Sequence, residues 1–272
     1  MSQSEQAVLL FTNDDGIKSP GLWAAVRAFE GVGRRLVVAP REQQSGMGRS
    51  LPHASEGRIY PYEPPLDCGD CRAYAVDGSP AQAVQHGVLE LADDKPALLV
   101  SGINYGENIG NSVTISGTVG AAIEAASLGI PAIAVSQQTP TDLHLTYSSA
   151  VDFRAAAAFA LKFGPWLMSP AALPEDVDLL KIDVPWGAAA ATEWRLTRVS
   201  RRRVYVPIRP QRTALNGRGK LGYRYNSHLN DAEPNSDVYA LLHDRVVSVT
   251  PMSLDMTART DLSRLSRRIA GG

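Results

Sequence analysis

Ala7-Val8-Leu9-Leu10-Phe11 runs without interruption into Thr12-Asn13-Asp14-Asp15-Gly16, and this pairing of an apolar run with an acidic, glycine-closed turn decides the reading of the chain. A short continuous apolar run bounded by a turn suits a strand covered on both faces, as in a parallel sheet. The pattern recurs. Arg35-Leu36-Val37-Val38-Ala39 leads to Pro40 and then Gln43-Gln44-Ser45-Gly46, and Ala97-Leu98-Leu99-Val100 leads to Ser101-Gly102-Ile103-Asn104-Tyr105-Gly106. Pro131-Ala132-Ile133-Ala134-Val135 leads to Ser136-Gln137-Gln138, and Leu179 to Val184 stops at Pro185. Between these runs the apolar residues fall at helical spacing, over Leu22–Phe29 after Ser19-Pro20-Gly21, Gln82–Leu91, Val119–Leu128 and the alanine-rich Val151–Phe163. Strand–helix alternation of this kind predicts an α/β fold: an open, mostly parallel sheet with helices on both faces, three layers in all.

Beyond residue 200 the composition shifts. Arg201-Arg202-Arg203, Arg209 and Arg212 precede Asn216-Gly217-Arg218-Gly219-Lys220-Leu221-Gly222, so Val204–Asn235 is expected to protrude as an arm without a buried helix or strand pattern. Val246–Thr250 reads as a returning strand before Pro251, and Leu262–Ile269 as a basic amphipathic helix. The expected organisation is a single α/β domain over 1–272. Its core covers about 6–190 and 237–255, the arm about 200–236 and the tail about 256–272.

Bulk properties narrow the function. The 272 residues carry 27 Lys+Arg against 28 Asp+Glu, so no overall basic field gathers nucleic acid or an anionic membrane, and an anionic ligand must be caught locally. No stretch is long and apolar enough to span a bilayer and the N-terminus has no basic leader, which points to a cytoplasmic protein with no membrane partner. Cys68 and Cys71 follow Glu63-Pro64-Pro65 without a second ligand pair, so they read as free thiols near a turn rather than half a zinc site. The five histidines are scattered and no HExxH occurs, so each reads as a surface or packing residue rather than a base, with His228 set apart only by its place in the polar arm. There is neither a Walker A loop nor a GxGxxG, and Ser45-Gly46-Met47-Gly48 has the wrong order for a serine-nucleophile elbow.

In open α/β sheets ligands bind beyond the carboxyl ends of the strands. Asp14 and Asp15 lie there, with Ser45-Gly46 after the second strand and Asn104 after the third. An Asp-Asp-Gly turn needs no metal by itself. Hard oxygen donors converging from three strand ends, however, suit Mg²⁺, Mn²⁺ or Ca²⁺. Ser116-Gly117-Thr118 directly precedes a helix, where a hydroxyl caps the helix or, with free N–H groups, binds phosphate.

Asn13-Asp14-Asp15-Gly16, Ser45-Gly46, Ser101 through Asn108 and Ser116 through Ala122 together resemble the SurE family of survival-protein nucleotidases, with Gly78-Ser79-Pro80-Ala81 and Val249-Thr250-Pro251 as further landmarks. The resemblance is dense over about residues 7–140 and sparse in the arm. It departs at Gln82, where the family often has Asp. It implies a Rossmann-like core, one divalent metal per subunit (Mg²⁺ or Mn²⁺), and hydrolysis of nucleoside 5′- or 3′-monophosphates. Asp14, Asp15, Ser45 and Asn104 match the metal ligands. Asn108 and Ser116 match phosphate-holding positions, with Gly46, Gly117 and Thr118 beside them, and Asp14, Asp15, Asn108 and Ser116 form the implied catalytic set. It also implies a homodimer or homotetramer, with the C-terminal segment and the protruding arm used in the oligomer contacts. No stable nucleic-acid partner is expected, although seven basic residues between Arg201 and Lys220 leave room for short polyphosphate. The competing readings are an aspartyl-phosphate on Asp14, which usually needs DxD spacing, and a binding module that retains a nucleotide uncleaved.

Overall fold

The computed structural model describes all residues except 1–5, 66–70, 145, 149, 170–172, 227, 228, 230 and 272; Cys68 and His228 lie outside the described residues. The elements are β1 (Val8–Thr12), α1 (Pro20–Ala28), β2 (Arg34–Pro40), β3 (Ile59–Pro61), β4 (Cys71–Val76), α2 (Pro80–His86), β5 (Leu98–Tyr105), α3 (Gly117–Ser127), β6 (Ala132–Gln137), α4 (Arg154–Leu167), β7 (Leu179–Val184), β8 (Trp194–Leu196), β9 (Tyr205–Ile208), β10 (Gly222–Tyr225), α5 (Asp237–Leu242), β11 (Val247–Met252) and α6 (Leu262–Gly271). Nine strands form one sheet in the order β3-β4-β2-β1-β5-β6-β7-β11-β8. The pairings from β4 through β7 are all parallel, while β3 and β11 run antiparallel to β4 and β7. β11, made late in the chain, lies between β7 and β8 and is the described pairing partner of β8.

Side-chain alternation along each strand supplies two cores. Leu9, Phe11, Val37, Val100, Val135 and Ile182 face α1 and α4. Val8, Leu10, Val38, Leu99, Ala134 and Leu179 face α2 and α3. The result is the mostly parallel three-layer α/β fold that strand–helix alternation predicts. Continuous apolar runs become strands here because both faces are covered, so no position is left for polar residues to mark a period.

The local differences have local reasons. The helix expected from Val151 begins at Arg154, with Phe153 as its cap. β11 runs through Pro251 to Met252, and Pro251 pairs with Leu180. α2 ends at His86, and Gly87–Leu91 continues as a single π-turn. Gln82 completes a capping box with Ser79, its Oε1 accepting the Ser79 N–H at 3.0 Å, so this departure from the family pattern preserves the helix start. Part of the stretch expected to lack regular structure forms the antiparallel hairpin β9–β10. Val204, Leu229 and Ala232 anchor its base against Ile109, Val238 and Leu241. Cys71 heads β4, half-buried and free. No helix among the described residues is long and apolar enough to cross a membrane.

Candidate active site at the strand ends

The chain builds β1, β2 and β4 toward one sheet edge, then returns to build β5, β6 and β7 toward the other. The crevice between β1 and β5 is therefore the switch point where such sheets bind ligands. Asn13 shapes the turn after β1: its Oδ1 accepts the Gly16 N–H and its Nδ2 donates to the Gly16 carbonyl, both at 3.1 Å. Gly16 takes φ +98°, a conformation that favours glycine. Asp14 and Asp15 follow from this turn, and both are buried. Asp14 Oδ1 accepts the Thr118 hydroxyl at 2.5 Å. Asp15 Oδ2 accepts the Tyr105 N–H at 3.1 Å, and its Oδ1 accepts from Gln43 Nε2 at 3.2 Å.

Burial pushes both carboxyls above the ordinary aspartate range, and the charge of Asp14 pushes Asp15 further. None of the ion pairs among the described residues involves either one. Two adjacent buried carboxylates without a cationic side chain are a site that a divalent cation would stabilise. The neighbouring donors fit one. Asn104 Nδ2 donates to the Gly106 carbonyl at 2.7 Å, which turns the amide without engaging its Oδ1, and the Ser45 hydroxyl is exposed. All four groups are hard oxygen donors. Among the described residues no group of three or more His, Cys, Asp or Glu is placed to hold a metal, so the centre rests on two carboxylates and two neutral oxygens.

One cleft of about 440 Å³ gathers Asp14, Ser45, Gly46, Asn104, Asn108 and Ser116. Asp15, Gly117 and Thr118 are not part of its lining. Thr118 is fully buried and acts as the partner of Asp14 rather than facing the cleft. Ser116 caps α3, its Oγ accepting the Val119 N–H at 3.1 Å, so the positive end of an 11-residue helix dipole meets the cleft there, while the Gly117 and Thr118 N–H groups face the Asp14 carboxylate. Asn108 Nδ2 donates to Ser136 Oγ at 2.9 Å, and the Asn108 backbone N–H donates to Asp183 Oδ1 at 2.7 Å.

Asp183 belongs to a buried network that sequence reasoning missed. Lys181 Nζ donates to Asp183 Oδ2 and, at 3.1 Å, to Asp237 Oδ2, with all three side chains fully buried. Asp237 in turn accepts the N–H groups of Gly110 (3.1 Å) and Ser200 (2.9 Å). Burial works against the Lys181 ammonium, but the two carboxylates outweigh it and hold its pKa above the ordinary lysine value. The signal was present: Lys181 and Asp183, two apart in an otherwise apolar strand, share one face.

The part of the cleft wall that the arm supplies was also missed. Arg203, Tyr205, Pro207, Leu221 and Tyr223 bring the hairpin to the cleft, and His144 joins them from the loop after β6. His144 Nε2 lies 3.2 Å from the Thr139 carbonyl, and burial lowers its pKa, so the ring is a neutral wall element. Arg203 belongs to the basic run Arg201-Arg202-Arg203 at the start of the arm.

Fold and site together define a doubly wound α/β protein with an oxygen-donor pole and a helix start at its switch point. A sequence model described as Survival protein SurE matches residues 9–205. The chain is 39% identical over 264 residues to the 5′-nucleotidase SurE of Thermococcus gammatolerans, covering 97% of this chain and 96% of that one. It is 39% identical to the 5′-nucleotidase SurE of Methanocella arvoryzae, covering 96% and 97%. The crystal structure of the Sure protein from Aquifex aeolicus superposes with a TM-score of 0.75 at 30% identity, covering 96% of this chain and 99% of that one. The chain belongs to the SurE family.

Proposed function

We propose that this protein is a metal-dependent phosphomonoesterase that hydrolyses nucleoside 5′-monophosphates, and 3′-monophosphates where the same cleft admits them. The observation that carries the reading is the single cleft that joins Asp14, Ser45 and Asn104 to Asn108 and the capped start of α3. The 5′-nucleotidase relatives support the substrate class.

Asp14, Asp15, Ser45 and Asn104 would hold one Mg²⁺ or Mn²⁺. Bound there, such a cation supplies Lewis-acid polarisation of a phosphoryl oxygen and a more acidic water. The chain's own groups do the rest. The Asn108 amide and the Ser116 hydroxyl, at the positive end of the α3 dipole, bind the equatorial phosphoryl oxygens and are fixed before the substrate arrives. Phosphoryl transfer depends mainly on such positioning and electrostatics. Thr118 holds one oxygen of Asp14, which fixes the carboxylate toward the cleft. The reading extends to a homodimer or homotetramer, since α6 leaves Leu262 and Ile269 exposed, and light scattering reads that directly.

Phosphate release from nucleoside monophosphates, an aryl phosphate and short polyphosphate, with EDTA, Mg²⁺ or Mn²⁺, tests the activity. Release requires metal and is abolished by Asp15→Asn. Full metal-dependent turnover by that variant sinks the scheme, and AMP binding without release under any metal replaces it with a binding module.

A further inference from the structure

The cleft has a second end that phosphate chemistry leaves unused. In the same cleft as Asp14 and Ser116, Tyr205 and Tyr223 meet edge to face, with ring centroids 5.3 Å apart and an interplanar angle of 78°. Tyr225 contacts Tyr205 in the same manner at 5.7 Å and 86°. Tyr205 is half-buried, and its hydroxyl donates to Glu107 Oε1 at 3.1 Å. Glu107 itself is only 4% exposed. The inner ring is therefore held by two rings and by a hydrogen bond at its far end, whereas Tyr223 remains 52% exposed. A free phosphate ion has no use for an aromatic wall with one ring locked and the next one open. A ligand with an anionic end and a flat, uncharged end matches both poles.

We propose that the hairpin β9–β10 is the nucleobase subsite: the base stacks on Tyr223, and Glu107 is a positioning residue that locks Tyr205 behind it. The inference rests on the nucleotidase reading for the identity of its ligand. β9 and β10 contribute Tyr205, Pro207, Gly222 and Tyr223 to the cleft, none with an amide or carboxylate side chain to read a base edge. Every base offers a π-face. The subsite thus separates nucleotides from small phosphate esters more strongly than it separates one base from another.

Titration calorimetry of the metal-loaded protein with AMP and with inorganic phosphate tests this, because phosphate reports the oxygen-lined pole alone. Tyr223→Ala weakens AMP relative to phosphate by about tenfold, the scale of one lost base–aromatic stack. Glu107→Ala shifts the ratio in the same direction, and Glu107→Gln restores it, since the glutamine carbonyl still accepts the Tyr205 hydroxyl. A ratio unchanged by Tyr223→Ala overturns the subsite. A Glu107→Gln ratio that stays with Glu107→Ala, or a Glu107→Ala ratio equal to the wild type, overturns the positioning role. The readout needs no turnover, so a protein that binds AMP without cleaving it fails the proposed activity and leaves the subsite standing.

Discussion

At Gly117 the space a side chain would fill belongs to Asp14. A Cβ there would lie 2.6 Å from the Asp14 Cβ and 2.9 Å from its Oδ2, and the side-chain root cannot swing aside as a flexible tip would. Gly117→Ala is expected to displace the carboxylate and lower kcat/KM by about 100-fold, the cost of misplacing a catalytic group by an ångström. Steady-state kinetics with saturating metal checks this. Glu107 gives a residue-scale prediction of a different kind. Burial pushes its carboxyl up to about 7, with the Tyr205 hydroxyl pulling it back and the Asp183 charge adding to the rise. The folded state therefore binds more protons than the unfolded chain between the ordinary glutamate pKa and about 7. Stability falls as pH rises through that window, by about 3 kcal/mol in full. Glu107→Gln removes this contribution, so its denaturation midpoint is expected to be flatter than that of the wild type between pH 5 and pH 7. Equal slopes would show that Glu107 titrates normally.

At the scale of the element, two helices start alike and differ in what they face. Ser79 and Ser116 both cap, each accepting an N–H from three residues on at 3.1 Å. Ser116 lines the cleft, whereas Ser79 does not and donates instead to the Ser50 carbonyl at 2.6 Å. Either serine replaced by alanine is expected to cost about 1 kcal/mol of stability. Only Ser116→Ala is expected to reduce kcat/KM as well, and urea melts beside kinetics separate the two effects. The elements themselves differ in how legible they were. β1, β2, β5 and β6 announce themselves because each contains an unbroken apolar run, and β7 because only Lys181 and Asp183 interrupt its apolar residues. β4 was missed because Arg72 and Tyr74 interrupt it, and β9 and β10 because Pro207, Tyr223 and Arg224 are exposed and leave no apolar run. Oxygen donors at strand ends could be read from local order alone. The aromatic wall could not, since Tyr223 reaches the cleft only through a hairpin whose partner strand lies 14 residues away, from Ile208 to Gly222.

Across the whole molecule, Lys181 ties three distant segments together: β7 through Asp183, the Asn108–Gly110 loop through both carboxylates, and the start of α5 through Asp237. Lys181→Met leaves two carboxylates buried without their cation. The expected loss is about 3–5 kcal/mol, read by chemical denaturation. A loss below 1 kcal/mol would show that the carboxylates find protons or water at little cost. Such a tie cannot be read from spacing, because Asp237 is 56 positions from Lys181. The place of β11 has a consequence for how the chain is made. β7 ends at Val184 and its neighbour begins at Val247, 63 positions later. At a synthesis rate of about 5–20 residues per second, the growing polypeptide carries an open sheet edge for roughly 3–13 seconds. Throughout that interval the row of unpaired backbone groups along β7 is a template for strands of other chains. Lys181 and Asp183 sit in that strand, so during translation the future core displays one cation and one carboxylate along an otherwise apolar margin. A polar pair that ends up sealed inside the enzyme thus spends its first seconds as a solubilising feature of the nascent chain.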